Sequence, residues 1–306
     1  MVRGSAGVAV PGEVPGEARA DTPVPDSARL RRAEAAENFP VALRVLPTRH
    51  RRRLQAVYGV VRTIDDLGDE GEADAATRVA ALEAFRADLH SPTPEAPVLR
   101  ALARDAPDLP HEPFDRLIAA NVQDQRVARY ATWADLRGYC ALSADPIGRI
   151  VLALFAVPSD PALLAASDAV CTALQVLEHC QDVREDRERG RVYLPAEDLA
   201  DFGVAEADLD RPVATAELRA LVLHETARAE ELLAQGRAVV GRLRGWARLA
   251  VAGYVAGGYA AAAALRRADG DVLGRSRTAA HSRRRDILRR LPGVLLARGR
   301  TSWSRL

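Results

Sequence analysis

Hydrophobic side chains recur at three- and four-residue intervals along most of this chain. Leu54, Val57, Tyr58, Val61 and Ile64 form one such run, and Leu174, Leu177 and Val183 a second. Leu221, Val222, Leu232 and Leu233, with His224 among them, form a third. That spacing puts apolar residues on one face of an α-helix. Clusters rich in Pro, Asp and Ser at 91–97, 105–113, 158–161 and 201–212 separate the runs. No useful stretch alternates like a half-buried strand, and no repeat of fixed period is present. The pattern predicts an all-α chain with one large helical domain over 28–275. Residues 1–27, rich in Pro, Gly, Glu and Ala without periodicity, are expected to be disordered. Residues 276–306 read as an Arg-rich C-terminal tail.

Composition sharpens this picture. Ala and Leu, strong helix formers, dominate the apolar set, while aromatics are only 5% of 306 residues. The net charge of +1, from 43 basic and 42 acidic residues, argues against a general nucleic-acid binder. Cys140, Cys171 and Cys180 lie in apolar helical stretches without a CxxC pair, and read as buried free thiols in a reducing cytoplasm. No apolar signal-peptide core follows Arg3, so a cytoplasmic location is expected. The longest uncharged run, Leu249 to Leu265, has 17 residues, short of the roughly 20 that a membrane span needs, and reads as a buried helix. From Arg266 onward there are twelve Arg against three Asp, with Leu288, Leu291, Val294, Leu295 and Leu296 interspersed. That segment fits a solvated tail or peripheral contact with an anionic membrane.

Two segments carry candidate chemistry. In the first, Arg62-Thr-Ile-Asp65-Asp66-Leu-Gly-Asp69-Glu70, helical geometry places Asp65 and Asp69 about 40° apart, with Arg62 one turn earlier. In the second, Gln175-Val-Leu-Glu178-His-Cys-Gln-Asp182-Val-Arg-Glu-Asp186, the acids Glu178, Asp182 and Asp186 are spaced i, i+4, i+8. Like charges at that spacing destabilise a helix, and an inward-facing stripe needs cations to compensate it. Carboxylates without Cys, and with His only as a neighbour, suit Mg2+, which bridges to phosphate oxygens. The pattern alone fits either two solvated acidic faces or a metal–diphosphate site.

The same residues resemble the squalene/phytoene synthase family of head-to-head isoprenyl transferases. Arg62-x-x-Asp65-Asp66-x-x-Asp69 is similar to its first aspartate-rich motif. Gln175 through Asp186, running into Arg189-Gly-Arg-Val-Tyr-Leu-Pro195, is similar to its second. Within the family, Glu37-Asn-Phe-Pro-Val-Ala42, Arg129-Tyr-Ala-Thr-Trp133 and Ser143-Ala-Asp-Pro-Ile-Gly148 resemble the bacterial hydroxysqualene synthase branch.

The resemblance implies a single-domain isoprenoid-synthase bundle around a central hydrophobic cavity. It also implies conversion of presqualene diphosphate to hydroxysqualene with two or three Mg2+ ions and no NADPH; no GxGxxG motif is present. Asp65, Asp69, Asp182 and Asp186 match the metal–diphosphate carboxylates, Glu178 is a further oxygen ligand for metal, and Arg62 matches the diphosphate-contacting arginine. Gln175 and Tyr139 match pocket-lining positions, Arg191 and Tyr193 the loop after the second motif, and Tyr259 a tunnel-lining helix. Glu178 stands where the family usually has Asn, and so does Asp145.

Other readings use the same residues. One is head-to-head synthesis of presqualene diphosphate, squalene, dehydrosqualene or phytoene from prenyl diphosphates. Another is an inactive helical scaffold in a hopanoid or carotenoid enzyme complex, and a presqualene diphosphate synthase paralogue is an expected partner. His179, Tyr130 and Trp133 read as packing residues, and His50 with Arg51, Arg52 and Arg53 as solvated surface charge.

Overall fold

Side chains that cap or start helices divide the chain. The computed structural model describes residues 46–158, 160–274 and 284–296; the 1–27 segment lies outside them. Helix α1 is Thr48–Asp69, α2 Ala75–Leu89, α3 Pro97–Asp105, α4 Glu112–Asp124, α5 Trp133–Ser143 and α6 Asp145–Leu154. Then come α7 Pro161–Gln181, α8 Val183–Glu188, α9 Ala196–Asp201 and a 3-10 turn at Glu206–Asp210. The rest is α10 Ala216–Gly236, α11 Ala238–Arg242, α12 Gly245–Arg267 and α13 Arg284–Leu296. Asp74, Asp160 and Thr215 each accept a backbone N–H at a helix start, and Thr132 with Asp135 forms a reciprocal capping box. Proline in the first turn of α3, α4, α6 and α7 adds no unmet donor there. The described residues contain no strand beyond an isolated bridge between Arg129 and Val192.

Two apolar cores fill the bundle. One joins α7, α10 and α12 through Val170, Leu177, Leu221, Val222, Leu233 and Val255. The other joins α1 to α4 through Ile64, Leu82, Leu99, Phe114 and Ile118, with Ile150 and Leu154 from α6. A smaller cluster of Tyr130, Leu136, Tyr139, Cys140 and Tyr193 holds the segment after α8 against α4 and α5. Asp145, at the start of α6, is buried and accepts a 3.0 Å hydrogen bond from Thr172 Oγ1, tying α6 to α7. Burial pushes the thiols of Cys140 and Cys171 up to about 12 and that of Cys180 well above its usual value, so none is a thiolate near neutral pH.

Three sequence expectations change. Arg53 is buried rather than surface charge, because it lies on the inward face of α1 and its guanidinium meets both oxygens of Asp108, at 2.6 and 2.9 Å. His50 is half-buried, its ring 5.1 Å from that of Phe155. The C-terminal segment includes a docked helix: Ile287, Leu291, Val294 and Leu295 pack on the first core from one face of α13.

Helix α12 is long and apolar enough to span a membrane by length and composition, but 56% of its most apolar window is buried. Its small residues permit close approach instead: a methyl at Gly258 would meet Leu233 at 2.9 Å and Leu174 at 3.0 Å. Gly236 is tighter, since a methyl there would lie 2.7 Å from the Ala166 carbonyl oxygen and 2.9 Å from the Val170 nitrogen. Gly236→Ala forces α10 away from α7 and should destabilise the protein by about 1–3 kcal/mol despite the better helix propensity of alanine. Urea denaturation measures this, and a gain in stability would show that the α7–α10 contact is looser than described.

Candidate active site

The first acidic run occupies the last turns of α1. A methyl at Gly68 would collide with Asn121 of α4, so glycine sets how near the two helices come. Asn121 hydrogen-bonds Asp65, and Gln125 Nε2 donates to Gly68 O at 3.0 Å. The Asp65 side chain is accessible, yet burial pushes its carboxyl up to about 7, against the opposing pull of Asn121 and Arg62. Arg62 pairs with Asp66 at 2.8 Å and Glu70 at 3.1 Å, so its charge sits beside the Asp65–Asp69 stripe.

The second run is not one uninterrupted helix. Helix α7 ends at Gln181 and α8 begins at Val183, with Asp182 between them at φ −104°, ψ 18°. The backbone ladder persists across the bend: Asp182 N donates to Glu178 O at 2.9 Å and Asp186 N to Asp182 O at 2.8 Å. The i, i+4, i+8 spacing of the acids therefore survives while the chain direction changes. Glu178 is exposed, and Asp182 and Asp186 are half-buried. Gln175 Nε2 lies 3.1 Å from His179 Nε2, and Asp186 lies 3.7 Å from His179 Nδ1.

Residues after α8 connect the two runs. Gly190, at φ +78°, makes the left-handed turn that leads into Arg191. Arg191 reaches Asp69 at 2.8 Å, a contact across 122 residues of sequence. Tyr193 is buried, and its ring stacks on that of His179 at 3.8 Å and 12°. Its hydroxyl lies 3.4 Å from Asp124 Oδ1, and the Tyr139 hydroxyl donates to Asp124 Oδ2 at 2.8 Å. Burial pushes Asp124 up to about 6, and Asp69, Arg191 and His179 all lie within its electrostatic reach. Thus Asp69, Asp186, Arg191, Tyr139, Tyr193, His179 and Gln175 belong to one connected neighbourhood.

Sequence reading missed Asp124 and Asn121. Their signal was a polar i, i+3 pair on a helix whose other face carries Phe114, Leu117 and Ile118. Tyr259 stands apart from the acid runs. It lines a cleft with Arg237, Arg289, Arg290, Gly293 and Val294, because α12 turns it toward α13. Tyr130 packs in the tyrosine cluster, and Trp133 lies under Arg228, 4.5 Å from its ring centroid.

Among the described residues, the one group of three possible metal ligands gathered within 4.8 Å is Asp198, His224 and Glu225. Arg228 occupies this group, bonding Asp198 at 2.9 Å and Glu225 at 2.7 Å. No three carboxylates of the two acid runs gather this closely among the described residues.

Known proteins resemble the chain as a whole. The family described as squalene/phytoene synthase matches residues 32–285. The hydroxysqualene synthase of Rhodopseudomonas palustris is 33% identical over 212 residues, covering 68% of this chain and 72% of that protein. The phytoene synthase of Mycobacterium tuberculosis is 35% identical over 173 residues, 56% of this chain and 57% of that one. Among solved structures, squalene synthase HpnC from Alicyclobacillus acidocaldarius superposes with TM-score 0.70 at 39% identity, covering 78% of this chain and 92% of that one. A dehydrosqualene synthase bound to a ligand shares the fold, with TM-score 0.73 at 24% identity over 87% and 94% of the two chains.

The Arg228 group generates a pH prediction. Glu225 is 1% exposed, and burial pushes its carboxyl from the ordinary 4.5 up to about 8. Between those values the folded protein keeps a proton that the unfolded chain has released. That contribution to stability is complete below pH 4.5 and is lost as the pH rises through 8. The slope is at most about 1.4 kcal/mol per pH unit for one proton. Glu225→Gln should flatten the fall in unfolding free energy between about pH 5 and 8. An unchanged slope would assign the dependence to other groups.

Proposed function

The chain belongs to the squalene/phytoene synthase family, and from that premise we propose that it converts presqualene diphosphate to hydroxysqualene, releasing diphosphate, in squalene and hopanoid biosynthesis. Enzymes of the family bind isoprenoid diphosphates and use a divalent metal. The observation that carries the choice within the family is similarity to three hydroxysqualene synthases, 32–35% identical over 64–68% of the chain.

The donor set fits Mg2+. Asp65, Asp69, Glu178, Asp182 and Asp186 offer hard oxygen atoms, and desolvated Asp65 is stabilised as an anion by a nearby cation. Glu178, in place of the family's Asn, keeps an oxygen ligand and adds negative charge. Bound Mg2+ supplies Lewis-acid neutralisation of the charge that builds on the departing diphosphate. Arg62 lies beside the first acid run, and Arg191 bridges to it through Asp69. Exchange of the Asp69 partner for a diphosphate oxygen would let Arg191 close the site over substrate.

Water capture of the rearranged carbocation releases one proton. Asp124, ionised above about pH 6, takes it through Tyr139 Oη, which passes its own proton to Oδ2 and accepts one from water. Gln175 orients His179, whose stacking fixes the Tyr193 ring.

The 35% identity to phytoene synthase supports a second reading, head-to-head condensation of two prenyl diphosphates. Purified protein incubated with Mg2+ and either farnesyl or presqualene diphosphate separates the two. Hydroxysqualene should form from presqualene diphosphate alone and without NADPH; consumption of farnesyl diphosphate only would sink the first reading. Asp65→Ala and Asp182→Ala should each lower kcat/KM by about a hundredfold or more with the circular-dichroism melt little changed. Asp124→Asn should lower kcat while the Mg2+ concentration for half-maximal rate stays within about threefold. A shift in Mg2+ requirement instead would place Asp124 among the metal ligands.

A further inference from the structure

Helix α13 carries none of the acidic residues of the two motifs. Helix α13 runs antiparallel to α12: Arg248 of α12 donates to Leu295 O at 2.6 Å, and Arg267 lies 3.4 Å from Asp286. Ile287, Leu291, Val294 and Leu295 face the core. Leu288, Pro292 and Leu296, spaced i, i+4, i+8, form a second apolar stripe pointing away from it. Leu288 is 56% exposed and Leu296 79%. Only two other large apolar side chains are exposed among the described residues, Val213 and Trp246. Trp246 lies in the first turn of α12, at the end where Arg248 holds the last turn of α13. Three of the four thus belong to one region.

Basic charge adjoins this stripe. Arg289 and Arg290 of α13 and Arg237, between α10 and α11, line a cleft of about 370 Å³ with Tyr259, Gly293 and Val294. All three arginines are exposed, and none pairs with an acidic side chain among the described residues. No acid lines the cleft, and nearby Glu230 is already bound by Arg266. A soluble surface normally disperses such arginines among acids, as the pairs of Arg129 and Arg187 with Glu206 do elsewhere on this protein.

We propose that this face docks on an anionic phospholipid surface, with headgroup phosphates in the Arg237–Arg289–Arg290 cleft and the Leu288–Pro292–Leu296 stripe at the acyl boundary. An apolar stripe beside arginines, with a tryptophan at its end, matches the layered polarity of a bilayer interface. Arginines without an acidic partner among the described residues complement phosphate oxygens in charge and geometry. Docking is independent of which isoprenoid the active site makes, and it places the helix bundle beside the phase where hydrocarbon products dissolve.

Full-length protein should co-sediment with vesicles containing phosphatidylglycerol, bind neutral phosphatidylcholine vesicles far more weakly, and lose affinity as salt rises. The triple variant Arg237→Gln, Arg289→Gln, Arg290→Gln should bind the anionic vesicles about a hundredfold more weakly. Its melting temperature and its turnover of detergent-dispersed substrate should match the parent's. Leu288→Ser with Leu296→Ser should also weaken binding, and this loss should persist at high salt. Equal binding to neutral and anionic vesicles, or full retention by the triple variant, overturns the proposal. So does inorganic phosphate or diphosphate protecting the arginines when vesicle affinity is absent, which would assign the cleft to a soluble anion. Concentration-dependent self-association abolished by the leucine variants, without vesicle binding, would assign the face to a second copy of the chain.

Discussion

Carboxylates gathered inside a protein repel one another and resist ionisation unless positive charge lies close by. That constraint organises this molecule. Asp65 and Asp124 are both held above the ordinary carboxylate range by burial, and Asp69 lies within reach of both. Arg62 and Arg191 supply the compensation that the chain itself provides. Glu178, Asp182 and Asp186 add further carboxylates on the second acid run, and on the function proposed above these and the first run would hold divalent cations and a diphosphate.

The surrounding fold makes that arrangement rigid. Gly68 lets α4 approach α1 closely enough for Asn121 to hold Asp65. The bend at Asp182 redirects α8 without breaking the acid spacing. The tyrosine cluster then anchors the returning strand of chain, so Arg191 crosses from the second acid run to the first. A structure that packed α1 and α4 more loosely would lose the Asn121 contact first.

Polar networks away from this centre follow different logic. Asp198, Glu225 and Arg228 share charge internally, and the arginine occupies the place a metal would need. The Arg237–Arg289–Arg290 cleft lacks any such internal partner among the described residues. The first arrangement strengthens the packing of α9 on α10, while the second leaves charge directed outward.

Helical periodicity and the two acid motifs were determined by local sequence. Apolar spacing fixes which residues face inward, and Asp, Thr and Pro at helix starts fix where helices begin, with neither depending on distant residues. The resemblance to the squalene/phytoene family rested on the same contiguous motifs. Contacts between distant segments were decided only by the tertiary structure. Asp124 carries no motif of its own and becomes notable only where Tyr139 and Tyr193 meet it. Arg53 looked like one of several surface arginines until Asp108 met it, and the direction of Tyr259 depended on where α13 docks. A one-dimensional pattern reports the faces of each helix, whereas which faces meet depends on how all of them pack at once.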